Sequence, residues 1–207
     1  TFAGVRGTGK TTVARILAKC LNCAQGPTAD PCGDCDPCRE IAESRAMDVM
    51  EIDAASRTKV EQTRELLEVV SYAPARDRYK ILIIDEAHML SKASFNALLK
   101  TLEEPPPNVL FILATTEVSK IIPTILSRCQ IFDFNRIRVE DAVDYLKLIA
   151  DKEQLEYEED ALHMIAQKAD GAMRDALSIF DQVVSFSKEK ITYRDVIHNL
   201  NILDYEY

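Results

Sequence analysis

Three groups of residues in this chain have types and spacings that can do chemistry. The first is Gly4-Val5-Arg6-Gly7-Thr8-Gly9-Lys10-Thr11, which fits the pattern G-x-x-x-x-G-K-[ST] and holds three of the six glycines in the 207-residue sequence. Glycines let consecutive backbone N–H groups curl around a phosphate, and a helix that starts after them adds the positive end of its dipole. In such a loop Lys10 reaches the β- and γ-phosphates of a nucleoside triphosphate and the Thr11 hydroxyl ligates Mg²⁺. With Thr12, the next residue on the helix, Gly4 to Thr12 is the candidate nucleotide-binding stretch. A chance glycine turn is the alternative; the strand-like Phe2-Ala3 before the loop and the amphipathic pattern after it favour the phosphate cradle.

The second group is Ile81-Leu82-Ile83-Ile84-Asp85-Glu86-Ala87-His88, an apolar strand ending in two carboxylates. Asp85 at the end of a buried strand can hold Mg²⁺ through water, and Glu86 can orient or deprotonate an attacking water. Paired acids after a strand can also simply cap the next helix, and His88 can be read as a polar residue at a helix start. The phosphate loop upstream tips the pair towards nucleotide hydrolysis.

The third group is Cys23, Cys32, Cys35 and Cys38, a C-x8-C-x2-C-x2-C run among Pro31, Gly33, Pro37 and several aspartates. Beside an intracellular ATPase signature, disulfides are disfavoured and four thiolates point to a closed tetrahedral site, with Zn²⁺ the default and a structural role. A redox C-x2-C pair is the competing reading, for which the other two cysteines would be superfluous. Cys20, on the apolar face of the first helix, and Cys129 stay outside the metal shell.

These residues need elements to place them. From Lys10, Val13, Leu17, Cys20 and Leu21 recur at helical spacing. Met47 to Ile52 alternates, and Ile81 to Ile84 and Val109 to Leu113 are apolar runs of strand length. Between them, Thr58 and Glu61 have capping-box spacing ahead of Val60, Leu66, Leu67 and Val70, and Ser91 can cap a helix running through Phe95, Leu98, Leu99 and Leu102 to the stop at Pro105. Strands alternating with helices predict a parallel sheet covered on both faces. After Arg138 the pattern turns helical, with helices expected over 139–152, 158–168, 173–187 and 192–200.

The composition is that of a globular chain, 47% apolar and 29% charged. Its net charge of −9 argues against coating nucleic acid through bulk positive potential. The charge is unevenly spread: residues 1–138 carry 18 Lys+Arg and 18 Asp+Glu, and residues 139–207 carry 7 and 16, which suggests a boundary near Arg138. The acidic run Glu156 to Asp160 reads as a solvated helix start. No apolar run approaches the roughly 18 residues of a membrane span, so no membrane partner is expected. The N-terminus lacks the regions of a signal peptide, so a cytoplasmic location is expected.

Taken together, the loop, Asp85-Glu86-Ala87-His88, Thr115-Thr116 after a strand, Ser127-Arg128-Cys129 and Gly171-Ala172-Met173-Arg174-Asp175-Ala176-Leu177 resemble an AAA+ ATPase of the clamp-loader group. Within that group the chain is most similar to the gamma/tau family of bacterial DNA polymerase III. Arg57-Thr58-Lys59-Val60, Tyr72-Ala73-Pro74-Ala75 and the segment Ser94 to Pro105 occur in the same order at similar spacing, so the likeness spans essentially the whole chain. The resemblance implies that Thr116 is the sensor of the γ-phosphate, that Arg174 is a lid arginine closing over the nucleotide, and that Arg128 is an arginine finger for the neighbouring subunit's ATP. A guanidinium suits that task, since it stays charged and offers a planar fork to phosphate oxygens. Without the other motifs, Arg128 and Arg174 would read as ordinary surface arginines. The family also carries the zinc module.

Arg57, Thr58 and Lys59 at one helix start and Ser91 and Lys92 at another can hold a DNA phosphate through N–H groups and charge without reading bases; the alternative is a solvated helix start. In the family's ring, such helices line a chamber that tracks the duplex.

The expected architecture is therefore an α/β P-loop AAA+ parallel-sheet core over residues 1–138, with a zinc module at about 22–40, followed by a small all-α lid over 139–207. The expected function is ATP-driven loading of the sliding clamp onto primed DNA, with ATP, Mg²⁺ and Zn²⁺ as cofactors and the other clamp-loader subunits, the clamp and DNA as partners. A non-hydrolysing scaffold subunit of the same loader and another AAA+ DNA motor, such as a branch-migration ATPase, remain as rivals. Against the family pattern, a segment before the phosphate loop and a C-terminal collar are expected to be missing.

Overall fold

The computed structural model describes residues 1–56, 67–70, 72–186 and 190–200. It falls into two compact units, one made of Thr1–Gly4 and Gly9–Phe134, the other of Val5–Thr8 and the chain from Asn135 onward.

The first unit is built on a five-stranded sheet of β1 (Phe2–Gly4), β2 (Val49–Asp53), β3 (Lys80–Asp85), β4 (Val109–Thr115) and β5 (Phe132–Phe134) in the order β2-β3-β4-β1-β5, with every neighbouring pair parallel. Its helices are α1 (Lys10–Asn22), α2 (Asp36–Ala42), α3 (Lys92–Glu103) and the short α4 (Pro123–Leu126); residues 67–70 are also helical. A parallel sheet requires crossover connections and so is covered on both faces. The period-2 geometry of β3 shows this directly. Ile81 and Ile83 join Phe2, Ala14, Ala18, Ile41 and Ile112 in one core cluster. Leu82 and Ile84 point the other way, into a cluster with Val70, Phe95, Leu98, Leu113 and Ile125. All four are at most 1% exposed.

The strands read from the apolar runs are present with small shifts. Pairing of β2 starts at Val49 opposite Ile81, and Met47, which the alternation placed in the strand, is 75% exposed ahead of it. In α1 the fully buried positions are Ala14 and Ala18, with Leu17 and Leu21 packed at their edge, while Val13 faces solvent. Small side chains let this helix lie close to the sheet, which displaces the buried stripe from the larger Val13. Ser91 caps α3, its side chain accepting from the Ser94 N–H at 3.1 Å, and the helix ends just before the proline run. The capping-box reading at Thr58 and Glu61 lies outside the described residues.

The second unit packs α5 (Val139–Lys152), α6 (Glu159–Lys168), α7 (Met173–Phe186) and α8 (Tyr193–Asn199) around Val143, Leu146, Leu162, Ile165, Phe180, Val183 and Val196. All four expected helices are there. The bundle also carries a two-stranded parallel ribbon, β6 (Glu156–Tyr157) with β7 (Lys190–Ile191), which no alternation signalled because each strand is two residues long. The acidic excess has a local use: Glu140 and Asp141, Glu159 and Asp160, Asp175, and Asp195 stand in the first turns of the four helices, where carboxylates complement the dipole. Thr192 and Asp195 form a reciprocal capping box on α8.

Candidate functional site

The parallel register brings the chemistry-bearing residues to one edge of the sheet. Ala3 lies opposite Thr115, Ile84 opposite Leu113 and Asp53 opposite Asp85, so Gly4, Asp85, Thr115 and Thr116 all come at the carboxyl ends of their strands. This is the edge at which α/β sheets take ligands.

The loop leaves β1 at Gly4, where a Cβ would stand 2.2 Å from the Phe134 carbonyl oxygen of β5, so only glycine fits there. Gly9 ends the loop as the left-handed N-cap of α1, with φ of 91°. The first turn of α1 contains no acid and its N-cap makes no side-chain hydrogen bond, so the positive end of the helix dipole suits an anion there. Lys10 is 6% exposed and its Nζ donates to the Gly4 carbonyl at 2.9 Å, folding the ammonium back over the loop. The Thr8 hydroxyl donates to the Val5 carbonyl at 2.9 Å, which closes the loop's tip; Arg6 and Thr12 are exposed. Within the second unit, a Cβ on Gly7 would stand 3.0 Å from the Ala172 Cβ and 3.5 Å from that of Arg174, so the start of α7 holds Arg174 beside the loop's middle glycine. The Arg174 side chain is exposed, and among the described residues it has no ion-pair or hydrogen-bond partner.

Across 74 residues of sequence, the Thr11 hydroxyl donates to Asp85 Oδ2 at 2.8 Å. The other Asp85 oxygen accepts from the Glu86 N–H at 2.9 Å. A hydroxyl and a carboxylate at this separation are the hard oxygen donors that Mg²⁺ prefers, and a bound ion would replace the hydrogen bond between them. Glu86 takes a left-handed backbone, φ 46° and ψ 44°, an uncommon state for a residue with a side chain and one that collects at working sites. Its Oε2 accepts from the Thr116 hydroxyl at 3.1 Å. The residues that sequence reasoning left without a role are His88, whose Nδ1 stands 3.5 Å from this carboxylate, and Thr115 and Glu117, which contact the His88 ring; only their position after the strand ends hinted at it.

Arg128 stands away from this cluster. It is exposed in the turn after α4, with its guanidinium on Glu103 at 2.7 Å and on the Thr124 carbonyl at 2.8 Å. Ser91 spends its hydroxyl on the α3 cap, and Lys92 beside it is exposed. Arg57, Thr58 and Lys59 lie outside the described residues.

The four cysteines form a second centre. The Sγ atoms of Cys23, Cys32, Cys35 and Cys38 all lie within 4.8 Å of one another, with Cys23 and Cys32 at 3.6 Å. Zinc bonds of about 2.3 Å in a tetrahedron set the sulfurs about 3.8 Å apart, so the set fits that ion. The Ala24 N–H pointing at its sulfur brings the Cys35 thiol down to about 6, and burial pushes Cys38 up to about 12. A dication among them would stabilise the thiolates against the cost of burial. Cys20 bonds the Ala29 carbonyl at 3.5 Å and stands outside the group.

The segment leading into β3 fastens this module to the core. Asn22 and Tyr79 exchange two hydrogen bonds, each 2.9 Å, through the amide of one and the backbone of the other. Arg78 donates to the Cys23 and Ala24 carbonyls, and Arg76 pairs with Glu40. Beneath them the buried Asp48 carboxylate accepts three N–H groups, from Ala75, Arg76 and Asp77, at 2.8 to 2.9 Å.

Comparison with known proteins adds three findings. A family model described as DNA polymerase III, delta subunit, matches residues 1–138, and one described as DNA polymerase III clamp loader subunit, ATPase lid domain, matches residues 141–189. The chain is 53% identical over 203 residues to DNA polymerase III subunit tau of Salmonella typhimurium and 48% identical over 206 residues to DNA polymerase III subunit gamma of Buchnera aphidicola from Acyrthosiphon pisum. These alignments cover 98% and 100% of this chain but 32% and 57% of the relatives, so the chain spans about a third to rather more than half of their length. Among solved structures, the RuvB Holliday junction branch migration motor of Thermotoga maritima superposes with a TM-score of 0.68 at 21% identity, over 98% of this chain and 61% of that one, a likeness of fold.

Proposed function

The chain belongs to the AAA+ clamp-loader ATPase family of bacterial DNA polymerase III, and from that premise we propose that it is the ATP-hydrolysing part of a motor subunit that loads a sliding clamp onto primed DNA. The observation that carries the reading is the Thr11–Asp85 hydrogen bond, which joins the glycine loop to the acidic strand end where a nucleotide's metal would bind.

In this reading residues 1–138 are the nucleotide-binding core and 139–207 the lid. The loop from Gly4 to Thr12 wraps the phosphates with backbone N–H groups, and Lys10 turns from the Gly4 carbonyl to the β- and γ-phosphates. Thr11 and Asp85 hold Mg²⁺, which neutralises charge building on the phosphate oxygens. Glu86 orients the attacking water, Thr116 senses the γ-phosphate, and Arg174 lends a cation from the lid. Arg128 leaves Glu103 to serve the ATP of a neighbouring subunit, so turnover depends on assembly. Zinc holds the cysteine module in a structural role. Arg57, Thr58, Lys59, Ser91 and Lys92 contact DNA phosphates without sequence preference, with binding that weakens steeply as salt rises. The partners are the other loader subunits in a ring, the clamp and primed DNA, in the cytoplasm; no helix among the described residues is long and apolar enough to cross a membrane.

The test is ATP turnover by the full-length subunit assembled with its partner subunits, with and without clamp plus primed DNA. Stimulation by both together, lost in Lys10→Ala, is the expected result. Turnover unchanged by Lys10→Ala points to the scaffold role, and stimulation by branched DNA without the clamp points to a different motor.

A further inference from the structure

His88 is not explained by packing alone. The residue follows the two carboxylates at the end of β3, in the 3-10 turn Ala87–Met89, and its side chain is 8% exposed. A buried imidazole needs partners for both ring nitrogens. Here each one meets a group at the end of the sheet: Nδ1 stands 3.1 Å from the Thr115 hydroxyl and 3.5 Å from Glu86 Oε2, and Nε2 stands 3.6 Å from Glu117 Oε1. Thr115 is itself fixed, fully buried and accepting from the Glu117 N–H at 3.1 Å. The ring therefore hydrogen-bonds the end of β4 through Thr115 and lies between it and Glu86 Oε2.

Glu86 Oε2 is thus approached from two sides, by the Thr116 hydroxyl and by the imidazole, while no hydrogen bond among the described residues engages Oε1. A carboxylate that must take a proton from water works best with its direction fixed, because a misplacement of about 1 Å can cost a hundredfold in rate. We infer that His88 is a positioning residue for Glu86, anchoring Oε2 together with Thr116 so that Oε1 is the oxygen presented to the attacking water. The inference rests on the proposed ATPase reading and adds a residue to it.

The test uses the full-length subunit in its assembled complex with His88→Ala, His88→Asn and His88→Gln. An Asn amide can take the place of Nδ1, whereas a Gln amide reaches towards the Nε2 position and Glu117. Steady-state ATPase gives kcat and KM, a fluorescent ATP analogue reports binding, and thermal melting reports folding. The expected result is a kcat about tenfold to a hundredfold lower in Ala and Gln, with KM and analogue binding within about twofold, and most of the rate restored in Asn. Equal rates in Asn and Gln, or a loss that appears in binding instead of kcat, overturns the inference; if His88→Ala fails to fold, the contrast between Asn and Gln decides. Lys10→Ala runs in parallel. If it abolishes turnover while the His88 variants work normally, the inference about His88 falls alone; if it leaves turnover intact, the ATPase reading falls and takes the inference with it.

Discussion

The sheet end gathers side chains that are distant in sequence and the cysteine module gathers near neighbours, and they do so by opposite means. At the sheet end, Thr11 meets Asp85 and Glu86 meets Thr116 because the parallel register of β3 and β4, packed between cores on both faces, brings the strand ends level. In residues 23–38 only Cys23 and Cys38 are buried. That stretch has no apolar core of its own, so its shape depends on four converging sulfurs and on the polar tethers from Asn22, Arg76 and Arg78. In the proposed reading, packing sets a catalytic geometry that exists before the nucleotide arrives, whereas ligation would set a fold that is complete only with its ion.

Perturbing each region sharpens the contrast. The largest effect is expected in the module. Purified protein should carry about one zinc per chain, and Cys32→Ser with Cys35→Ser should abolish it, since structural zinc binding contributes about 10–16 kcal/mol in small peptides. Limited proteolysis should then cut within residues 23–42 while far-UV circular dichroism of the sheet persists; a double variant that stays metal-free and uncut would remove the zinc assignment. Next in size, Ile83→Ala empties a fully buried position in the middle of β3 and should cost about 2–5 kcal/mol, lowering the cooperative unfolding midpoint without releasing zinc first.

Asp48 lies at the seam between the two regions. Burial works to raise its pKa, but the three N–H donors and the charge of Lys80 outweigh that and hold it below the ordinary carboxylate range. A depressed folded-state pKa means stability that is present above the unfolded value of about 3.9 and is lost as pH falls through the folded value. Asp48→Ala, which strands three donors, should cost about 2–3 kcal/mol near neutral pH and flatten this acid limb in denaturant titrations. The smallest effect is expected at the Arg15–Glu51 pair, 2.7 Å apart at the surface, where Arg15→Ala should change stability by about 1 kcal/mol or less and lose even that in high salt.

The same contrast explains what could be read from the sequence. Apolar runs disclosed β3 and β4, and helical spacing disclosed the four lid helices, because those elements bury whole faces. The short edge strand β5 has its first two residues exposed, and α2 begins inside a Gly- and Pro-rich segment, so neither left a periodic signal. Val13 misled because spacing cannot tell which of two adjacent stripes a close-packed helix buries. For the site, glycine and cysteine spacings were legible since their chemistry is local. The anchoring of Glu86 by Thr116 and His88 was not, because it depends on the register of β3 against β4.

In the proposed mechanism the phosphate loop and strand-end acids hydrolyse ATP only when a neighbouring subunit supplies Arg128. The direct measurement is ATP turnover of the reconstituted oligomer with Arg128→Ala, alongside nucleotide binding by each subunit. Turnover should fall by about 10³-fold or more while binding is retained. Turnover equal to that of the natural protein would contradict it.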